Sequence, residues 1–200
     1  MALFGKGRGV TDEERERLPP GQHLVRDFPI LHAGSIPYRE VPEDWDFRIW
    51  GAVDTPLRWT YEELRSQDIT RQVCDIHCVT TWTKLDTVWE GVAVAPLLRS
   101  LGLREGASHV VAHSEEGYTA NIPLDIALHD DVLLAYRFGD QELEPEHGGP
   151  LRLLVPALYF WKSAKWLRGL EVLDHDEPGF WERLGYSNSA DPWKEERYGF

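Results

Sequence analysis

From His23 onward the apolar positions come in short runs split by turn-forming residues, with no long helical stripe. Asp46 to Val53 reads as a strand, with Phe47, Ile49 and Trp50 apolar. Thr60-Tyr61-Glu62-Glu63-Leu64 opens a helix, because Thr60 as N-cap and Glu63 three residues on form a capping box. Arg71 to Trp82 is rich in Val, Ile, Thr and Trp, whose branched or flat side chains fit a pleated surface, and it predicts a strand. Pro96 near the first position and Gly102 just past the end bracket a short helix around Leu97, Leu98 and Leu101. Strands follow at 108–112 and 118–122 around a Glu115-Glu116-Gly117 turn, then a short helix from Pro123 to Leu128. Further strands lie at 132–138, 151–155 and 170–173. Many short strands with short helices and no strand–helix alternation define an α+β class: one mixed domain over 23–200. Residues 1–22, ending in Pro19-Pro20-Gly21, read as a flexible N-terminal arm. The stretch 174–200 is acidic yet holds Phe180, Trp181, Tyr186, Trp193, Tyr198 and Phe200, so it is expected to pack back onto the domain.

Composition narrows the function. A chain of 200 residues, 42% hydrophobic and 28% charged, fits one domain with a sizeable core. A net charge of −13 argues against a nucleic-acid partner, which needs clustered cations. No apolar run approaches the ~20 residues that cross a bilayer, so no membrane association is expected. The first residues show no apolar export core, and the expected location is cytoplasmic.

Two cysteines are too few for a disulfide framework or a four-cysteine zinc site. Four residues apart on a strand, Cys74 and Cys78 stand ~13 Å from each other, too far to share a disulfide or a metal. Each is either a buried hydrophobe or an independent thiol; Cys78, next to His77, Thr80, Thr81 and Lys84, has the more polar setting. His109 and His113 have the spacing of a helical zinc pair, but a Val-rich strand context separates them. Phosphate-loop, dinucleotide and hydrolase-elbow motifs are absent. One stretch runs against the global charge: between His147 and Leu173, Arg152, Lys162, Lys165 and Arg168 face a single acid, Glu171. Lys162-Ser163-Ala164-Lys165 is either a solvated basic face or an anion site.

These segments resemble a known family. Asp75-Ile76-His77-Cys78-Val79-Thr80-Thr81-Trp82, followed by Trp89-Glu90-Gly91-Val92, is similar to the cysteine-bearing segment of sulfite-oxidase-like molybdopterin enzymes. His147-Gly148-Gly149-Pro150-Leu151-Arg152-Leu153-Leu154-Val155-Pro156 with Lys162-Ser163-Ala164-Lys165-Trp166-Leu167 resembles that family's second hallmark. The resemblance is to its small, haem-free members and implies a sulfite oxidase molybdopterin-binding fold holding Mo-molybdopterin. It further implies that Cys78 is the metal ligand, since a soft thiolate suits molybdenum and the pterin dithiolene supplies two more sulfurs. His147, Arg152, Ser163 and Lys165 match cofactor-contacting positions, with Arg152, Lys165 and the 163–165 backbone suited to the pterin phosphate. His113 or Ser114 lies near another such position. Val25-Arg26-Asp27-Phe28-Pro29 resembles an early segment whose Arg lies by the metal, which nominates Arg26 and Phe28; Asp27 and Phe28 depart from the family's Asn and His. Tyr186, in Phe180-Trp181-Glu182-Arg183-Leu184-Gly185-Tyr186, matches a stretch carrying an active-site tyrosine.

The expected activity is two-electron oxo transfer on a small polar substrate, with Cys78, Arg26 and Tyr186 catalytic and a separate electron-transfer partner. The competing readings are a molybdopterin carrier or regulatory protein without turnover, and a thiol-redox protein using both cysteines.

Overall fold

The computed structural model describes residues 9–31, 33–37 and 40–199. In chain order the elements are α1 (Asp12–Glu16), β1 (His23–Leu24), β2 (Asp46–Gly51), β3 (Leu57–Thr60), α2 (Tyr61–Arg65), β4 (Thr70–His77) and β5 (Trp82–Ala93). After them come α3 (Val94–Ser100), β6 (His109–Ser114), β7 (Thr119–Pro123), α4 (Leu124–Ala127), β8 (Leu133–Phe138), β9 (Gln141–Glu142), β10 (Arg152–Leu154) and β11 (Leu167–Leu173). The α+β expectation holds: short helices punctuate strands that fall into two sheets.

One sheet runs β1-β5-β8-β10, with β4 on β5 and β9 on β8; the other runs β3-β2-β11-β6-β7. Alternation along β8 explains how they pack. Leu134 and Tyr136 enter a core shared with Phe47 and Ile49 of β2 and Leu170 and Val172 of β11. Leu133 and Ala135 point the other way, into a second cluster with Trp82, Trp89 and Phe160. Each buried Leu, Ile or Phe contributes roughly 1.5–3 kcal/mol, so the inter-sheet core dominates stability. Gly91 lets β5 lie against β8: a Cβ there would sit 2.1 Å from Leu134 O.

Three expectations change. The strand predicted over 71–82 is two: β4 stops at His77, residues 78–81 turn, and β5 returns for twelve residues. Val79, Thr80 and Thr81 have strand-like side chains, but the His77–Thr83 pairing closes a hairpin around them. The helix bracketed by Pro96 begins at Val94, so the proline occupies its third position. Within the arm, residues 1–8 lie outside the described residues. Residues 12–16, however, are helical, capped by Thr11 and Glu14. Arg17 ties this segment to the β4–β5 hairpin through Asp75 at 2.5 Å and Asp86 at 2.6 Å. The tail does fold back: Phe180 N–H donates to Thr119 O, and Tyr186 bridges to Tyr198.

Candidate active site

The hairpin turn places Cys78. Its N–H donates to Trp82 O at 2.8 Å, its carbonyl accepts Thr81 N–H at 3.0 Å, and Thr81 completes the reversal with a φ of 76°. The thiol Sγ lies 3.1 Å from Thr80 Oγ1. Burial pushes the thiol up; Thr80, then the charges of Arg197 and Lys165, oppose that. Cys74 stays in the β4 ladder beside Thr87, against the aromatic cluster, with burial pushing it up to about 12. Both cysteines are free thiols. Among the described residues no three metal-ligating side chains cluster, so the donor set offers a metal one protein thiolate rather than a cage.

A cavity of about 400 Å³ gathers Cys78, Arg152, Ser163, Lys165 and Tyr186. Arg152, on β10, is 1% exposed and donates from Nη1 to His147 O and from Nη2 to Ser163 O, both at 2.7 Å. Its Nε has no partner, and burial pulls the guanidinium down to about 9. Lys165 donates to Leu31 O at 2.9 Å and Glu146 O at 2.6 Å. Burial first, and then the Arg152 charge, bring it down to about 7. Among the described residues neither cation has a carboxylate within ion-pair distance. The other two cations of the basic stretch are spent. Lys162 is fully buried 2.6 Å from Glu182 Oε1 and bonded to Asn121, which corrects its reading as a phosphate ligand. Arg168 pairs with Asp46 and Glu115. The Ser163 and Ala164 N–H groups are bonded to Phe160 O and Lys162 O, so two of the three donors of the expected 163–165 backbone cradle are already used.

Other nominated residues lie apart. Arg26 is exposed and its guanidinium binds Glu14 of α1 at 2.8 Å, away from the cavity. Leu31, Ala33 and Gly34, a little further along the chain, do reach the lining. Phe28 does not line the cavity: half-buried, it packs against the second cluster, stacked on His147 at 4.0 Å. His147 supplies its carbonyl to Arg152; burial, Lys165 and Arg152 bring its ring down to about 4, and its Nδ1 has no partner. His113 is bonded to Glu171 at 2.9 Å outside the cavity. Ser114 is buried with an unpartnered Oγ, next to Glu115 of the lining. Three tryptophans that were not nominated as site residues complete the walls, Trp161, Trp166 and Trp181, with Trp161 and Trp181 at 5.3 and 4.9 Å from Tyr186. Trp181 belongs to the aromatic-rich tail and Trp166 to the 162–167 run, whereas Trp161 carries no sequence signal.

A soft thiol facing one buried and one half-buried cation, neither with an ion-pair partner among the described residues, suits a ligand that is both anionic and thiophilic. Mo-molybdopterin, with a phosphate and a metal, has that character, and the residues present fit it.

Comparison with known proteins agrees. Residues 33–181 match the family model described as the oxidoreductase molybdopterin binding domain. The chain is 44% identical over 195 residues, 98% of each protein, to the uncharacterized oxidoreductase YuiH of Bacillus subtilis (strain 168). It is 30% identical over 161 residues to the protein-methionine-sulfoxide reductase catalytic subunit MsrP of Gluconobacter oxydans (strain 621H), covering 72% of this chain but about half (51%) of that one. The sulfane dehydrogenase SoxCD from Paracoccus pantotrophus shares the fold, with a TM-score of 0.61 at 20% identity over 92% of this chain and 57% of that one.

Proposed function

Since this chain belongs to the oxidoreductase molybdopterin-binding domain family, within the sulfite-oxidase-like group, we propose that it performs two-electron oxo transfer with Cys78 as the protein ligand to molybdenum. One observation supports this most: the Cys78 thiol shares a cavity with buried Arg152 and half-buried Lys165, and among the described residues neither has a carboxylate within ion-pair distance.

Each residue has a physical task. Arg152 and Lys165 hold the pterin phosphate, their burial strengthening each charge-assisted hydrogen bond. Ser163, whose Oγ accepts Val155 N–H at 2.9 Å, fixes the loop that carries Lys165. Cys78 provides the single soft ligand, oriented by the Thr80 hydroxyl. When bound, Mo-molybdopterin supplies the oxo-transfer chemistry. Tyr186 keeps its proton, because burial pushes its phenol up, and offers an O–H to a small polar substrate. Trp161, Trp166 and Trp181 exclude water from the same space. Electrons exchange with a separate protein, as the name "catalytic subunit" of the MsrP relative implies for that protein.

Elemental analysis of protein expressed with cofactor biosynthesis tests the reading. Wild type and Cys74→Ser should carry molybdenum and turn over in a dye-coupled substrate screen, whereas Cys78→Ser should lose activity. Equal turnover in Cys78→Ser refutes the ligand assignment.

A further inference from the structure

The family match ends at Trp181, yet the chain beyond it reaches the Cys78 turn. The tail is built to do so. Asp191 caps a 3-10 turn by accepting Trp193 N–H, and Glu196 N–H returns to Asp191 O. Ser187 N–H donates to Arg197 O, Tyr186 bridges Tyr198, and Gly199 N–H donates to Gly185 O, so the chain doubles back and presents the Arg197 side chain inward.

Arg197 is 15% exposed. Its Nη1 donates to Val79 O at 2.6 Å and its Nη2 to Pro20 O at 3.4 Å, while the guanidinium lies 5.0 Å from the Tyr159 ring centroid. One planar fork therefore joins arm, cysteine turn and body. The adjacent carbonyl, Cys78 O, accepts Gln22 Nε2 at 3.0 Å. Cys78 O thus holds a donor from outside the hairpin beside Thr81 N–H within it, and Val79 O holds Arg197, so the two peptide planes flanking Val79 are fixed and with them the direction of the thiol.

We infer that Arg197 is a positioning residue for Cys78: through Val79 O it sets the orientation of the cysteine turn. The inference rests on the reading of Cys78 as the ligand and assigns the tail to the site itself.

The test uses molybdenum-loaded protein and reads the sulfur-to-molybdenum charge-transfer absorption and the Mo(V) paramagnetic resonance spectrum beside metal content. Arg197→Met should retain molybdenum yet shift both spectra. Arg197→Lys, which keeps the charge and one donor, should restore them in large part. Lys194→Met, which disturbs the tail only through its exposed pair with Asp191, should leave them at wild type. If Arg197→Met does not fold, Arg197→Lys and Arg197→Gln carry the comparison: a shift in Gln larger than in Lys supports the inference. Arg197 variants that hold metal with spectra superimposable on wild type overturn it. Wild-type spectra in Cys78→Ser overturn instead the reading on which it stands.

Discussion

Replacing Lys165 removes one of the two cavity cations, and pH does the same reversibly in the wild-type protein. Burial and Arg152 bring Lys165 down to about 7. An anion that binds only the charged lysine should therefore lose affinity as pH rises through that value. From pH 6 to pH 8 the protonated fraction falls about tenfold, which is about 1.4 kcal/mol of binding free energy. Within this window the neighbours stay fixed. Arg152 at about 9 remains charged, His147 at about 4 remains neutral, and the Cys78 thiol, pushed up, remains protonated. Isothermal titration of cofactor-free protein with sulfate, itself fully ionised throughout, should show the tenfold weakening. Lys165→Met should bind weakly and without pH dependence, and Lys165→Arg tightly and without pH dependence, since a guanidinium does not titrate there. The same linkage has an opposite sign for folding. The unfolded chain holds the Lys165 proton up to about 10, so cofactor-free protein should gain stability as pH rises from 7 towards that value. A wild-type sulfate affinity that is flat between pH 6 and 8, or the same tenfold fall in Lys165→Met, would refute the charge argument.

Three further outcomes follow from contacts elsewhere. Glu182→Leu strands the fully buried Lys162 and should cost about 3–5 kcal/mol in urea unfolding, with Lys162→Met/Glu182→Leu recovering part of the loss; equal costs for single and double variants contradict the pairing. Gly91→Ala drives a methyl to 2.1 Å from Leu134 O and should destabilise by about 3 kcal/mol or more, and a melting temperature within error of wild type contradicts the close β5–β8 approach. Against burial, which pushes it up, Arg168, Arg48 and Arg58 hold Asp46 well below the usual carboxylate range. Its stabilisation is therefore present above pH ~4 and lost as pH falls below; Asp46→Asn should lower neutral-pH stability by about 3 kcal/mol and flatten acid unfolding in that range, and unchanged acid unfolding speaks against the cluster.

How much of this was written legibly in the chain depends on the range of the interaction. The capping box at Thr60 and the strands at 46–51 and 109–114 are local, and propensity reveals them. The break at Cys78 is not, because it follows from pairing His77 with Thr83 rather than from the side chains of 78–81. The helix at 12–16 has its own capping box, Thr11 and Glu14, but in a charged and Gly/Pro-punctuated arm that signal was outweighed. Arg152, Ser163, Lys165, Cys78 and Tyr186 were nominated by resemblance, and the fold brings all five into one cavity. Arg26 shows the limit: it alone of its segment keeps the family's residue type, and its partner is settled by Glu14 on an element outside the pattern. Arg197 had no signal at all, since a single base near the end of an acidic tail says nothing of the carbonyl it will reach.

The charge distribution that first marked the basic stretch acquires a sharper meaning from its partners. Four cations face one acid in sequence, but Lys162 and Arg168 are neutralised by Glu182, Asp46 and Glu115, drawn from distant segments. Of the four, Arg152 and Lys165 have no ion-pair partner among the described residues, and they are the two that share a cavity with the thiol. A fold optimised for stability alone would pair or replace them, because a buried charge without a counter-ion carries a desolvation cost. Here that cost is borne by the cofactor-free protein and offset when an anion enters. Whatever binds the native cavity and not the unfolded chain stabilises the fold in proportion to its concentration over its dissociation constant. Cofactor capture and final stability are therefore coupled through the same two side chains: Lys165→Met should narrow the gap between the melting temperatures of loaded and cofactor-free protein, and Lys165→Arg should preserve it.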